Sequence, residues 1–407
     1  MGTDLTTCQN APVPDHPDHP VRADIDLCSG AFWAGDHHDA LTWMRANAPV
    51  YFDGTVWGVS RYADVKDVSR QPEVFSNAGG IRPQQPALPM MIDMDDPAHL
   101  ARRKLVNKGF TPRRVRDSEP QVRQACQEII DAVIDRRTCD LVHDIAAHLP
   151  MIMIGDALGV RPEHRADLLR WSDDMLKGLA TEATPEQLEA AGNAFAEYVA
   201  YATEVIADRR ADPRDDLMSI LVHAEVDGDR LDDDEIVQES LLILIGGDET
   251  TRHVISGGVH QLLLHPDQWK ALEADPTLRS TAVEEMLRWV TPIKNMVRTA
   301  TRDVELGGQP ISEGDELMLL YPSANRDEDV FDDPFRFDSA RTPNEHLAFG
   351  FGTHFCLGAS LARLEISVML DELLGRLPDL AIADPDAPPV HRPANFVSGL
   401  EELVVTW

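Results

Sequence analysis

The chain has 407 residues, 43% of them hydrophobic and 26% charged, enough to bury one large core or two modest ones and too apolar to stay disordered. Its formal charge of −33 argues against a nucleic-acid surface, and no apolar run approaches the roughly 20 residues that cross a bilayer. Residues 1–10 carry neither a basic start nor an apolar signal core, and the five cysteines are scattered without Cys-x-x-Cys spacing, which predicts a cytoplasmic protein with reduced thiols.

The stretch 10–21, rich in Pro, Asp and His, predicts a mobile leader over 1–21 and a single domain over 22–407. Helical periodicity begins at 39–46. A hairpin follows, with Val50-Tyr51-Phe52 turning at Asp53-Gly54 into 55–59. Residues 76–97, with Pro83, Pro86, Pro89 and Pro97, read as a long loop of the kind that serves as a lid or binding segment. Met90, Met91, Ile92 and Met94 give that loop a soft apolar face. His99 and Arg103 then stand at i and i+4, where they share a helical face and can jointly grip an anionic group. From 102 to 116 there are seven cations and no acid, either a patch able to dock an acidic protein or a solvated helix face.

Helical patterning covers most of 99–265 and culminates in 232–266, which opens on the acids Asp232 to Glu235 and stops at Pro266. Its centre, Leu241-Leu242-Ile243-Leu244-Ile245, is apolar on all sides and predicts burial. Gly246-Gly247-Asp248-Glu249-Thr250-Thr251 follows. Each glycine weakens a helix by about 1 kcal/mol, so the pair calls for a reason. The Thr250 hydroxyl can bond the carbonyl one turn back, and Glu249 beside it is an acid able to pass protons inward. Taken alone, the string describes a kinked core helix.

Within a helix over 281–289, Glu285 and Arg288 share a face at i, i+3; exposed, such a pair contributes well under ~1 kcal/mol. Ile293, Met296 and Val297 follow Pro292, 298–321 reads as strands and turns, and Pro334-Phe335-Arg336-Phe337 comes next. The string Phe349-Gly350-Phe351-Gly352-Thr353-His354-Phe355-Cys356-Leu357-Gly358 sets one cysteine behind a glycine-rich loop and ahead of a helix running to about Arg376. Gly350 and Gly352 allow a tight turn whose amides point at a sulfur, and the helix's positive end favours the thiolate, the form that binds metal. Residues 396–405, with Phe396 and Val397 at the tip, predict a terminal hairpin around Ser398-Gly399.

The cysteine string resembles the ligand loop of the cytochrome P450 family, Phe-Gly-x-Gly-x-His-x-Cys-x-Gly, with every position filled. The resemblance implies a mainly α fold with a smaller β region, haem b held by Cys356 as proximal ligand, and contacts to the haem from Gly246, Phe349, Gly350 and Gly358. Gly246-Gly247-x-Glu249-Thr250 is similar to the family's oxygen-activating helix, which implies clearance for a flat macrocycle and proton delivery by Glu249 and Thr250. His99 with Arg103, and Arg298 with His354, correspond to grips on the two haem propionates. Glu285, Arg288 and Arg336 correspond to a buried structural triad bracing the cysteine loop. The motifs span residues 99–365 in the family's order. No dinucleotide or phosphate-binding loop is present, so the resemblance implies electrons from a separate iron–sulfur ferredoxin and its reductase.

Met90, Met91, Ile92, Leu242, Ile245, Ile293, Met296, Val297, Phe396 and Val397 are the expected substrate contacts, an apolar set without a cation that favours a large neutral molecule. Met91-Ile92-Asp93-Met94-Asp95-Asp96-Pro97-Ala98-His99 and Gly109-Phe110-Thr111-Pro112-Arg113 resemble the actinobacterial steroid-oxidising branch, nearest its mycobacterial cholesterol and cholest-4-en-3-one side-chain hydroxylases. That implies oxidation of a terminal methyl (position 26/27) to an alcohol and on to the acid. The alternatives are a hydroxylase of fatty acids or another hydrophobic metabolite, a peroxide-driven enzyme, and a non-catalytic haem sensor. Peroxide users typically replace the acid–threonine pair, which is intact here, and a sensor usually carries an output domain.

Overall fold

The computed structural model describes residues 20–180, 183–225 and 228–407. Residues 1–19 of the expected leader lie outside the described residues.

The long helix Asp233–Leu264 is the axis of the fold. Its start is fixed by a reciprocal cap, in which Asp232 accepts from the Glu235 amide at 2.8 Å and Glu235 accepts from the Asp232 amide at 3.0 Å. Three acids in the first turn complement the helix dipole, and the helix ends at His265, one residue before Pro266. At about 1.5 Å per residue it spans roughly 48 Å. Helices His148–Ala157, Arg279–Val290 and Ala359–Arg376 lie against it. Gly258 allows the closest crossing: a Cβ there would run into the side chain of Met286.

Beside this helical body is a five-stranded sheet of order β1-β2-β8-β5-β3, built from β1 Val50–Phe52, β2 Trp57–Val59, β3 Phe75–Ser76, β5 Asn295–Ala300 and β8 Glu316–Leu320. β2 and β8 run parallel and the other pairs antiparallel. The expected first hairpin is present, with Tyr51 opposite Gly58. A two-stranded hairpin, β6 Val304–Leu306 and β7 Gln309–Ile311, occupies the predicted turn region.

The C-terminal hairpin expected over 396–405 is replaced by longer-range pairing. Strand β10 (Val404–Thr406) lies between β4 (Thr138–Asp140) and β9 (Ala381–Ile382). Residues 396–398 instead pair with 292–294: the Lys294 amide donates to the Phe396 carbonyl at 2.8 Å, the Ser398 amide to that of Pro292 at 3.0 Å, and Val397 bridges Ile293. Strand β4 falls inside a stretch that reads as helix, because three residues are too few to show a period of two.

Candidate functional site

Cys356 sits at the end of a loop that its own backbone closes. Its amide donates to the Phe349 carbonyl at 2.9 Å, and the Phe355 amide to that of Gly352 at 3.1 Å. Gly350 and Gly352 take φ of +68° and +79°, and a Cβ on Gly352 would strike the Ser69 carbonyl. The Gly358 and Ala359 amides, at the head of helix Ala359–Arg376, bond toward the sulfur. Cys356 lies deep among protein atoms yet is accessible, because it faces an internal cavity. Burial pushes its thiol up, against the two amides and the Arg103 and Arg363 guanidiniums, which pull it down. Desolvation outweighs the helix end, and a coordinated metal is what would deprotonate the sulfur.

The opposite wall is the centre of the long helix. Leu242, Gly246 and Thr250 form one stripe at i, i+4, i+8 facing the cavity, flanked by Ile243, Gly247 and Thr251. No heavy atom lies within 4 Å of where a Cβ on Gly246 would stand. The Thr250 hydroxyl donates to the Gly246 carbonyl at 2.9 Å. Phe349, Gly350, Leu357, Gly358, Leu361 and Ala362 complete the cysteine side, leaving a slot between bare helix backbone and sulfur.

One edge of the slot is cationic. His99, Arg103, Arg298 and His354 all line it, and the His99 and His354 rings stack with centroids 4.0 Å apart. The expected two separate grips are thus a single cluster in which the imidazoles join the pairs. His99 bonds Asp96 through Nδ1 at 3.1 Å, while its buried Nε2 has no partner. Arg298 is buried, its NH1 donating to the Val297 carbonyl at 2.8 Å. Arg103 donates to the Phe355 carbonyl. Burial lowers the pKa of His99 and Arg298, and His354 is held at about 3 by burial and by the charges of His99, Arg298 and Arg103. A slot with a thiol on one wall, clearance on the other and an under-neutralised cationic edge fits a flat iron macrocycle with two carboxylates.

Of the expected substrate contacts, Met91, Ile92, Leu242, Ile293 and Met296 line the cavity. Met90, Ile245, Val297, Phe396 and Val397 do not. On β5, Met296 and Arg298 face the cavity, so Val297 alternates to the far side of the sheet among Met318 and Leu320. Met90 and Ile245 pack into the core around Trp171 and Tyr198. Val397 is buried and bridges Ile293 through the backbone, but only Ile293 lines the cavity.

Glu249 occupies a different side of the helix from Thr250 and is fully buried. It accepts from Arg392 at 2.7 and 2.6 Å, is paired with Arg252, and lies 3.4 Å from His253. Arg392 continues to Glu401 at 2.9 Å and Arg252 to Asp173 at 3.1 Å, both partly exposed. Two acids that sequence reasoning passed over lie buried nearby. Asp248 is buried with neither carboxylate oxygen bonded and is pushed up to about 6, chiefly by burial. Glu365 lines the cavity and is pushed up to about 8 by burial and then by Asp248. No motif marks either one, since an acid in a helix reads as exposed until the fold covers it.

Glu285 and Arg288 form a fully buried bidentate pair, both bonds 2.8 Å. The third member is Arg341, whose Nε donates to the Glu285 carboxylate at 3.3 and 3.1 Å, and not Arg336. The Arg336 side chain is exposed; it contributes its carbonyl, which accepts from Arg288 and Arg341. Asn344 and the Asp338 amide complete the shell at 3.1 and 2.9 Å. The chain then enters the cysteine loop, with the Leu347 amide held by Asn325 at 2.6 Å.

The basic stretch is partly neutralised. Arg102 pairs with Glu235 and Glu239, Arg114 with Asp215 at 2.7 Å, and Arg103 turns into the cavity. Lys104, Arg113 and Arg116 remain exposed. No helix among the described residues is long and apolar enough to cross a membrane.

Comparison with known proteins matches residues 173–378 to the cytochrome P450 family model. A steroid C26-monooxygenase of Mycobacterium tuberculosis is 57% identical over 386 residues, covering 94% of this chain and 97% of the relative. A methyl-branched lipid omega-hydroxylase of the same species is 38% identical, covering 100% and 99%. A solved cytochrome P450 of Mycobacterium marinum in complex with pseudoionone superimposes with a TM-score of 0.89 at 36% identity, covering 98% and 100%. The chain belongs to the cytochrome P450 family: it is an oxidoreductase, a monooxygenase, with haem iron as its cofactor.

Proposed function

We propose that this enzyme hydroxylates the terminal methyl of a steroid side chain, position 26/27 of cholesterol or cholest-4-en-3-one, and carries the alcohol on to the acid. The reading rests on the 57% identity to a steroid C26-monooxygenase across 94% of the chain, together with an apolar cavity whose walls include Met91, Ile92, Leu242, Ile293 and Met296. These side chains suit a neutral hydrocarbon tail, and the cations of the site are gathered at the opposite need, the cofactor's carboxylates.

The cofactor in this reading is haem b, bound without covalent thioether links, since Cys356 is the one cysteine lining the cavity among the described residues. Cys356 would ligate the iron, and His99, Arg103, Arg298 and His354 would neutralise the propionates. Once bound, the haem supplies the reductive activation of dioxygen. The remaining tasks fall to the chain. Thr250 brings a hydroxyl to the cavity wall, its one hydrogen resting on the Gly246 carbonyl and its oxygen left to accept, so donation into the cavity requires the hydroxyl to turn away from that carbonyl. Glu249 sits behind it on polar links that reach the surface through Arg392 and Glu401 and through Arg252 and Asp173. The apolar wall excludes bulk water and limits stray protonation.

Electrons come from a ferredoxin and its reductase in the cytoplasm, and the exposed cations Lys104, Arg113 and Arg116 form its docking face. Charge reversal at Arg113 and Arg116 that leaves ferredoxin-driven turnover unchanged removes that assignment. A second substrate reading, a methyl-branched lipid, is favoured by the 38% relative. Titration of the ferric holoenzyme with cholest-4-en-3-one, then product analysis with ferredoxin, reductase and NADH, tests the choice. A low-to-high-spin shift and a terminal alcohol are expected; a shift given only by methyl-branched acids overturns the steroid reading.

A further inference from the structure

A second cleft, of about 360 Å³, lies on the far side of the segment that walls the active-site cavity. Trp289, Val290 and Lys294 face the second cleft, whereas Pro292, Ile293 and Met296 face the first. The second cleft draws its titratable groups from five parts of the chain: Asp36, His37 and His38 near the start, His260 on the long helix, Lys294 just before β5, Arg326 beyond β8, and His391 in the C-terminal loop. His37, Lys294 and Arg326 are buried, while Asp36 and His391 stand exposed at the rim.

The charge of this cleft is unbalanced. Among the described residues neither Lys294 nor Arg326 has a carboxylate within ion-pair distance, and none of the four imidazoles does. Lys294 donates to the Val290 and Thr291 carbonyls at 3.2 and 3.0 Å, which leaves the third hydrogen of its ammonium. Arg326 donates through NH2 to the Trp289 carbonyl at 2.9 Å, and its buried Nε has no partner. All three carbonyls belong to the end of helix Arg279–Val290, whose dipole supplies only about half a negative charge to the two cationic side chains. Asp36, the single acid of the cleft, is an exposed rim residue whose carboxylate accepts from the His38 amide at 3.3 Å. Two buried cations with so little negative charge opposite them are costly unless something anionic joins them.

We propose that this cleft binds a small oxyanion, a phosphate group on a free ion or a small ester, with Lys294 and Arg326 at its floor and the imidazoles of His37, His38, His260 and His391 around it. A metal ion is a poor occupant: no three of these groups come together as metal ligands among the described residues, and the two cations would repel it. The electrostatics agree with an anion. Burial, reinforced by Lys294, Arg326 and His391, holds His37 at about 3, and burial with Lys294, His260 and His253 holds His391 at about 4. Burial and then Arg326, with His37, Lys294 and Arg45, lower His38 further, and burial lowers His260. Lys294 is itself lowered to about 7, by burial and then by Arg326. An anion among these groups raises all of them, so its binding takes up protons.

Calorimetric titration of the ferric holoenzyme with inorganic phosphate, at constant ionic strength set by chloride, tests the proposal. Saturable 1:1 binding is expected, with a heat that depends on the buffer's ionisation enthalpy because protons are taken up. Lys294→Met should weaken binding at least tenfold. Because that residue also caps a helix, the rim double variant His260→Asn/His391→Asn gives a second reading with the cap intact, and should weaken binding severalfold. Glycerol phosphate in a parallel arm separates the sources: tighter binding than phosphate identifies an ester, weaker binding the free ion. Absence of saturable phosphate and glycerol phosphate binding to the unmodified enzyme, or binding unchanged in both variants, overturns the proposal.

Discussion

Two arginines five residues apart compete for one structural task, and their removal separates them. Arg341 donates to the Glu285 carboxylate and to the carbonyls of Asp332, Asp333 and Arg336, with its side chain 9% exposed. Glu285 is fully buried, so losing one cation leaves its charge less compensated, although Arg288, Asn344 and the Asp338 amide remain. A buried pair broken outright costs about 3–5 kcal/mol; with three partners retained, the loss of one charged hydrogen-bond donor is nearer about 1.5–3 kcal/mol. Arg336→Ala removes an exposed side chain and keeps the carbonyl, so it should stay within about 0.5 kcal/mol. The assay is urea unfolding of the holoenzyme, followed by the reduced-carbonyl spectrum that reports thiolate ligation. Arg341→Ala should lower the midpoint clearly and release the cysteine loop first, because Leu347 and Phe349 lie directly downstream. Equal midpoints for the two variants, or a larger loss for Arg336→Ala, would refute the reasoning.

Cys356→Ser should abolish the long-wavelength reduced-carbonyl band, since an alcohol lacks the thiolate's donor strength; survival of that band would show that another residue binds iron. Thr250→Ala should retain haem and substrate binding but lose roughly 10²-fold in coupled product formation, with electrons diverted to peroxide; product measured per NADH decides it. Glu284, bonded by Arg363 at 2.6 and 2.8 Å and by His346 at 3.1 Å, is held at about 2 although burial acts to raise it. Its folded-state pKa lies below the unfolded value, so the stability it contributes is present above about pH 4.5 and is lost as pH falls toward 2. Acid unfolding of Glu284→Gln should therefore be less steep than that of the unmodified enzyme across this window, and parallel curves would contradict the assignment.

The features legible in the sequence are those in which neighbouring residues carry the whole signal. The cap at Asp232, the stop at Pro266 and the glycines at 350 and 352 each act through backbone chemistry within a few positions. Arg341 was hidden because nothing local distinguishes it from Arg336. The strand Thr138–Asp140 was hidden because its partners lie at the other end of the chain, at Val404–Thr406. Half the expected substrate contacts do not reach the cavity, and Val297 shows why plainly: side chains alternate along β5, so naming the consecutive pair Met296 and Val297 ignores that one side of the strand meets the cavity.

Helical rotation gives three consecutive residues of the long helix three different capacities. Thr250 reaches the cavity, Glu249 is clamped among Arg392, Arg252 and His253, and Asp248 is buried without a bonded partner. Bonded by two guanidiniums, Glu249 ties the long helix to the C-terminal loop that carries Arg392. Burial with little compensation acts differently: it raises Asp248 to about 6 and Glu365 to about 8, and only the second of these keeps its proton at neutral pH. Glu365 lies on the helix that follows Cys356 and borders the cavity, so the cysteine wall of the slot carries a carboxyl able to hold a proton, whereas Asp248 is buried and does not line it. The reactive face of this protein is thereby supplied from apolar burial as much as from its ion pairs, and burial is the property that a motif cannot display.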